Sequence, residues 1–215
     1  MSCHSPAPVS ASHQARLAAL LHDGKRKILG LAGPPGCGKS TLAEQLQQQL
    51  GEQAVIVPMD GFHLANAELA RLGRSARKGA EDTFDSAGYL ALLRRLKTQP
   101  ADEVVYAPTF RREIEEPIAN AIPVFPTTPL IITEGNYLLL DRGHWAALRT
   151  VIDDIWYVDV DDALRRERLI ARHVRYGRSL AAAQAWVSQT DEPNACLIAA
   201  SRARADFIFR GEREA

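Results

Sequence analysis

The chain is 215 residues long, with 26 basic side chains against 26 acidic ones and a formal net charge of zero. That balance argues against a protein held to nucleic acid by bulk charge, and no apolar run approaches the ~20 residues of a membrane span. With 46% apolar and 24% charged residues, the composition is that of one globular core, expected over residues 15–215.

The start, "MSCHSPAPVSASHQ", lacks a secretory apolar segment and reads as a disordered leader over residues 1–14. Cys3 and His4 stand together there without the second Cys or His pair that a metal site needs. Cys3, Cys37 and Cys196 are scattered and odd in number, which suits a reducing, cytoplasmic setting and no disulfide framework. Ala15 to His22 is expected as a short helix carrying Leu17, Leu20 and Leu21 on one face, ended by Gly24. "KILGLAG" reads as a buried strand, because a brief apolar run bounded by charge and glycine is what a two-sided parallel strand looks like. "STLAEQLQQQL" spaces Leu42, Leu46 and Leu50 for one helix face, and "AVIVPMD" is the next strand.

The alternation continues. "SAGYLALLRRLKT" is expected as a helix with Ser86 as its N-cap, "EVVYAP" as a strand closed by Pro108, and the proline-rich stretch from Thr109 to Pro129 as a loop or small hairpin. "PLIITEG" is a strand, "HWAALRTVI" a helix and "IWYVDV" a strand. Helices are expected over 162–175, 179–189 and 193–204, before a last strand "DFIF". Strands alternating with helices imply a mostly parallel, doubly wound sheet covered on both faces, an α/β/α three-layer fold.

Chemistry concentrates at "GPPGCGKST", where Gly33, Pro34, Pro35, Gly36, Cys37, Gly38, Lys39, Ser40 and Thr41 fit G-x-x-x-x-G-K-[ST] between a strand and a helix. Glycines let backbone N–H groups turn inward around phosphate oxygens, and the helix N-terminus adds its partial positive charge. Lys39 would neutralise the β- and γ-phosphates of ATP and Ser40 would ligate Mg2+. A base-reading N-K-x-D and the transporter signature L-S-G-G-Q are absent from the sequence, which favours a small-molecule kinase over a GTPase or transporter ATPase. Two acids leave strands at the same sheet edge. Glu134 in "LIITEG" is placed to help hold the metal, and Asp60 in "AVIVPMDGFHL" to accept a proton from a substrate hydroxyl. Asp-Gly and Glu-Gly also end strands for purely structural reasons.

"MDGFHL", "RKGAEDTFDSAGYLALLRRL", "APTF", "ITEGNYLLL" and "PNACLIAASRARADFIF" together resemble the phosphoribulokinase, uridine kinase and bacterial pantothenate kinase superfamily. Within it, the chain looks most like the subgroup described as "putative fructose transport system kinase". The resemblance runs from about Lys27 to Phe209 and implies an ATP:hydroxyl phosphotransferase with a P-loop kinase fold and a helical lid near 162–180. It places the general base on Asp60, the acceptor pocket on Phe62, His63, Arg77, Lys78 and Phe84, and the adenine pocket near Asn194, while Arg111, Glu134 and Tyr137 are further candidates for contact with the acceptor. One departure stands out. Where similar chains carry an aspartate after P-x-F, this one reads "PTFRRE", with Arg111 and Arg112, which points toward a more anionic acceptor.

The run "ALRRERLIARHVRYGRS" sets Arg168, Arg172 and Arg175 at i, i+4 and i+7. A solvated basic face is the usual meaning of such a run, but a lid closing over phosphates would bring a guanidinium to the transferring group. Arg168 and Arg172 are the candidates, with Arg178 at the lid turn. Sugar, nucleoside and pantothenate-like acceptors stay open, as do a phosphorylated acceptor and a nucleotide-dependent switch acting on a protein partner. A homodimer is compatible with the fold.

Overall fold

A computed structural model describes residues 10–210. In chain order the elements are α1 (Ala11–Leu21), β1 (Lys27–Ala32), α2 (Lys39–Leu50), β2 (Ala54–Pro58), α3 (Asn66–Arg71), α4 (Ser86–Lys97), β3 (Val105–Arg111) and β4 (Glu116–Val124). There follow β5 (Leu130–Gly135), α5 (Gly143–Ala147), β6 (Asp154–Asp159), α6 (Asp162–Arg175), α7 (Leu180–Trp186), α8 (Glu192–Ala199) and β7 (Phe207–Arg210).

Five strands form one parallel sheet in the order β2-β5-β1-β6-β7. The inner strands β5, β1 and β6 are buried along nearly their whole length, which is why each is an unbroken apolar run with no polar face to alternate. On one side of the sheet Ile28, Val57, Ile131 and Ile155 pack with Tyr89, Leu93 and Leu96 of α4 and Trp145 of α5. On the other, Leu29, Leu31, Ile132 and Trp156 pack with Leu42 and Leu46 of α2 and Leu17 of α1. Each such fully buried aliphatic side chain contributes roughly 1.5–3 kcal/mol. The three-layer α/β/α architecture is the one expected, and its topology reverses at β1, where the carboxyl ends of β1, β2 and β5 open a crevice.

Several local expectations are corrected. Helix α1 starts at Ala11, not Ala15, because the His13 imidazole accepts from the Ser10 N–H (3.1 Å) and packs on the rings of Trp156, Phe207 and Phe209. Residues 11–14 therefore belong to the fold, and the rest of the expected leader, 1–9, lies outside the described residues. Arg16 then ties α1 to the sheet through a two-pronged pair with Asp154 at 2.8 and 2.7 Å. The N-cap of α4 is Asp85, whose carboxylate accepts from Gly88 N–H at 2.8 Å, and Ser86 is the first helical residue. "EVVYAP" does not join the main sheet. Strand β3 runs past Pro108 to Arg111 and pairs only with β4, in a separate antiparallel hairpin whose register slips at Ala107 and Thr109. A proline is tolerated at that irregularity because no ladder bond is required of it.

Candidate active site at the carboxyl edge of the sheet

Between β1 and α2 the chain turns through Gly33 to Gly38. Gly36 has φ +81°, and a Cβ there would stand 2.7 Å from the Leu169 side chain and 2.8 Å from the Arg165 carbonyl oxygen, so only glycine lets α6 lie directly on the loop. The buried Lys39 ammonium donates to the carbonyls of Gly33 (2.8 Å) and Pro34 (3.0 Å). Those carbonyls shape the loop, while the residues from Pro35 to Thr41 line a cleft of about 1750 Å³. Cys37 is buried, and burial pushes its thiol up, so it is the neutral wall of the loop.

Glu134 stands beside Leu31 of β1 and Pro58 of β2 in the ladder, which brings its carboxylate next to the start of α2. The Ser40 hydroxyl donates to Glu134 Oε1 at 3.0 Å. Burial, with the Asp60 charge behind it, raises the Glu134 carboxyl, and Lys39, the Ser40 hydroxyl and Arg112 only partly oppose this. Asp60 sits in a tight helical turn, Met59–Phe62, at the end of β2. The following Gly61 lies so close to β3 that a Cβ would meet the Pro108 carbonyl oxygen at 2.6 Å. Burial opposes ionisation of Asp60 too, but His63, Arg112, Lys39 and Arg172 outweigh it and hold the carboxyl below the usual range. Arg112 Nη2 donates to Asp60 Oδ2 at 3.2 Å. Beneath both acids, Tyr89 and Thr133 share a 2.5 Å hydrogen bond and Thr133 donates to the Val57 carbonyl at 2.6 Å, tying the strand ends together.

The remaining expected residues divide. His63, Lys78 and Phe84 line the cleft, as do Asn194, Arg168 and Arg172. His63 holds its ring through Nδ1 to the Asp60 carbonyl (2.8 Å) and lies on Phe84 and Phe110, with centroids at 4.0 and 4.5 Å. Burial lowers its pKa. Phe62 instead packs into the core against Tyr89, 5.2 Å away. Arg77 turns outward to pair with Asp82. Tyr137 is fully buried and reaches the cleft only indirectly, donating to the Gly79 carbonyl at 2.5 Å and so fixing the loop that carries Lys78. Arg111 is exposed at the end of β3, and its neighbour Arg112 enters the cleft in its place. The sequence marked both arginines, but only the hairpin register decides between them.

The basic run on α6 also divides. Arg165 is buried and bonded to Asp162, Glu192 and the Pro35 carbonyl, and Arg166 joins it on Glu192, so these two bind α6 to α8 and to the loop. Arg178 stacks over Trp186, 4.0 Å from the ring centre, and Arg175 is exposed away from the cleft. Arg168 and Arg172 face the cleft, and neither makes a side-chain hydrogen bond within the described residues; burial depresses the Arg172 pKa. Among the described residues no cluster of three or more His, Cys, Asp or Glu side chains is arranged for a metal. What the site offers is a hydroxyl and a carboxylate in contact beside a phosphate loop. Such a donor set fits Mg2+, which keeps several waters and takes one or two protein oxygens together with phosphates.

Residues 28–214 match the Phosphoribulokinase / Uridine kinase family. The chain belongs to that family. Its relatives include a protein of Schizosaccharomyces pombe (strain 972 / ATCC 24843) named "Putative uridine kinase C227.14", 38% identical over 171 residues that cover 75% of this chain and 72% of that one. A pantothenate kinase from Nocardioides sp. (strain ATCC BAA-499 / JS614) is 31% identical over 159 residues, 69% of this chain and 48% of that one. The crystal structure of a "putative fructose transport system kinase" from Silicibacter sp. TM1040 superposes with a TM-score of 0.81 at 38% identity, covering 91% of this chain and 98% of that one. Membership makes this a P-loop kinase of the small-molecule type. No described helix is long and apolar enough to cross a membrane.

Proposed function

We propose that the protein is a magnesium-dependent, cytoplasmic kinase that moves the γ-phosphoryl group of ATP to a hydroxyl of a small metabolite. The observation that carries this reading is the half-buried Asp60 carboxylate, kept ionised by surrounding cations on the same cleft as the phosphate loop. The N–H groups of the loop and the N-terminus of α2 hold the phosphates, and Lys39 exchanges its loop carbonyls for β- and γ-oxygens. Mg2+ held by Ser40 and Glu134 would neutralise charge on the phosphates. Asp60 orients the acceptor hydroxyl and takes its proton as the bond to phosphorus forms. Arg168 and Arg172 stand ready to neutralise charge on the group in flight. Asn194 lines the part of the cleft assigned to adenine.

Phosphoryl transfer asks mainly for positioning and charge neutralisation, and these residues supply both. The names of the relatives span a nucleoside, a vitamin precursor and a sugar, so the family leaves the acceptor open. The test is a coupled ADP-release assay with Mg-ATP over pooled sugars, sugar phosphates, nucleosides and pantothenate-like alcohols. A metabolite that accelerates release many-fold is the expected result. A slow release that no metabolite changes would turn the reading toward a nucleotide-dependent switch.

A further inference from the structure

The acceptor end of the cleft holds more positive charge than a neutral alcohol needs. Lys78, from the loop after α3, and Arg112, from the β3–β4 turn, lie against one ring, Phe110, at 5.2 and 6.0 Å from its centre. Both line the cleft with Asp60. Neither belongs to the phosphate machinery, which has Lys39, Arg168 and Arg172 at its disposal.

Lys78 is held firmly. Its ammonium donates to Asn66 Oδ1 (2.7 Å) and to the Glu115 carbonyl, and Asn66 Nδ2 donates to that same carbonyl at 3.1 Å. The Glu116 carboxylate receives the Asn66 N–H, so the hairpin tip, α3 and the Lys78 loop are laced together. Glu115 adopts φ +53°, a left-handed conformation that is unfavourable for a non-glycine residue and persists only where its surroundings impose it. The Lys78 side chain is only 13% exposed, and its nearest carboxylate, Glu115 at 3.8 Å, is 56% exposed to solvent. A largely buried ammonium is thus held in place with a proton to give and only a loosely placed counter-ion.

Arg112 is the complement. It makes one bond, to Asp60, and its other guanidinium N–H groups make no hydrogen bond within the described residues. That bond occupies one of the two carboxylate oxygens that a substrate hydroxyl could reach. An anion on the acceptor would draw Arg112 away and leave Asp60 free to receive the hydroxyl.

Resting on the kinase reading, we infer that the acceptor alcohol carries its own anionic group, a carboxylate or a phosphate, held by Lys78 and Arg112 beside Phe110. The test titrates the full chain, loaded with Mg-ADP, with matched neutral and anionic alcohols in a calorimeter: pantothenol and pantothenate, glycerol with glycerate and glycerol 3-phosphate, ribose and ribose 5-phosphate, uridine and its 5′-monophosphate. The anionic member of at least one pair should bind ten-fold or more tightly than its neutral partner, and the carboxylate and phosphate arms separate the two chemistries. Lys78→Met and Arg112→Met should each remove most of that preference, and Arg112→Lys should restore part of it. Arg112 is partly exposed and bonded only to Asp60, so its variants decide the matter even where Lys78→Met disturbs its loop. No pair with an anionic preference, no binding of any anionic member, or a preference untouched by Arg112→Met would overturn the inference. A neutral alcohol that is phosphorylated efficiently would overturn it while leaving the kinase reading intact. Tight anion binding by alcohols that never release ADP from Mg-ATP would sink the kinase reading and leave the anion site.

Discussion

Asp60 and Glu134 leave neighbouring strands at the same edge, Glu134 buried and Asp60 partly exposed, and their carboxyls shift in opposite directions. Four basic groups gather round Asp60, whereas Glu134 faces the charge of Asp60 with Lys39, Arg112 and one hydroxyl to offset it. Environment therefore sets two like side chains apart, and the proposed tasks of proton acceptor for Asp60 and metal partner for Glu134 rest on that difference. Arg172 belongs to this charge balance although its side chain makes no hydrogen bond within the described residues, so its contribution should appear only as charge develops on the transferring group. Arg172→Met is expected to lower kcat by about 10²–10³-fold while the ATP dissociation constant moves only a few-fold, read by steady-state kinetics beside a nucleotide titration. Equal losses in ATP affinity and kcat would show a ground-state phosphate contact instead. Far from the cleft, Asp206 accepts from Arg149 and from the Ile155 N–H at 2.8 Å, and these bonds outweigh burial to hold its carboxyl below the usual 3.8. A depressed folded value stabilises above the unfolded pKa and is lost as pH falls through the folded one. Asp206→Asn should therefore cost stability at pH 7, about 1 kcal/mol, and progressively less below roughly pH 4, as thermal unfolding at the two pH values would measure.

At the scale of elements, the phosphate loop and α6 form one unit. Leu169 and the Arg165 backbone rest on Gly36, and the buried Arg165 guanidinium joins the Pro35 carbonyl to Glu192 of α8. Gly36→Ala should thus push α6 off the loop and weaken Mg-ATP binding at least ten-fold, with a lowered melting temperature, and unchanged nucleotide affinity would show the contact to be dispensable. The inner parallel strands β1, β5 and β6 were legible from apolar runs because each is buried on two faces. The loop was legible because its glycines, Lys39 and Ser40 are adjacent in sequence. The β3–β4 hairpin was legible only in part, as a strand in "EVVYAP" and a loop or small hairpin after it, since it is half-exposed and Pro108 reads as a strand end until the slip at Ala107 is seen. Choosing Arg112 over Arg111 likewise needs the hairpin register, which alternation along seven residues does not supply. On α6, Arg165 lies one turn before Arg168, and its structural role was not legible because its partner Glu192 is 27 residues distant.

For the whole molecule, the strand order places β1 between β5 and β6, so the chain turns to opposite sides at the cleft lined by the loop, both acids, Arg168 and Arg172. Two helical layers and a rigid five-stranded sheet hold one wall of the cleft, the hairpin with Arg112 and the Lys78 loop hold another, and α6 with α7 and α8 close the third. Such an arrangement is suited to excluding water while phosphoryl moves between two bound molecules. The most direct test is a label-transfer experiment with ATP labelled in its γ-phosphoryl group, Mg2+ and the acceptor found by the ADP-release screen, comparing the native chain with Asp60→Asn. The account predicts label on the acceptor hydroxyl, slowed by about 10²–10⁴-fold in Asp60→Asn while ATP binding survives. Label appearing only as inorganic phosphate, at a rate indifferent to acceptor and to Asp60, would contradict it.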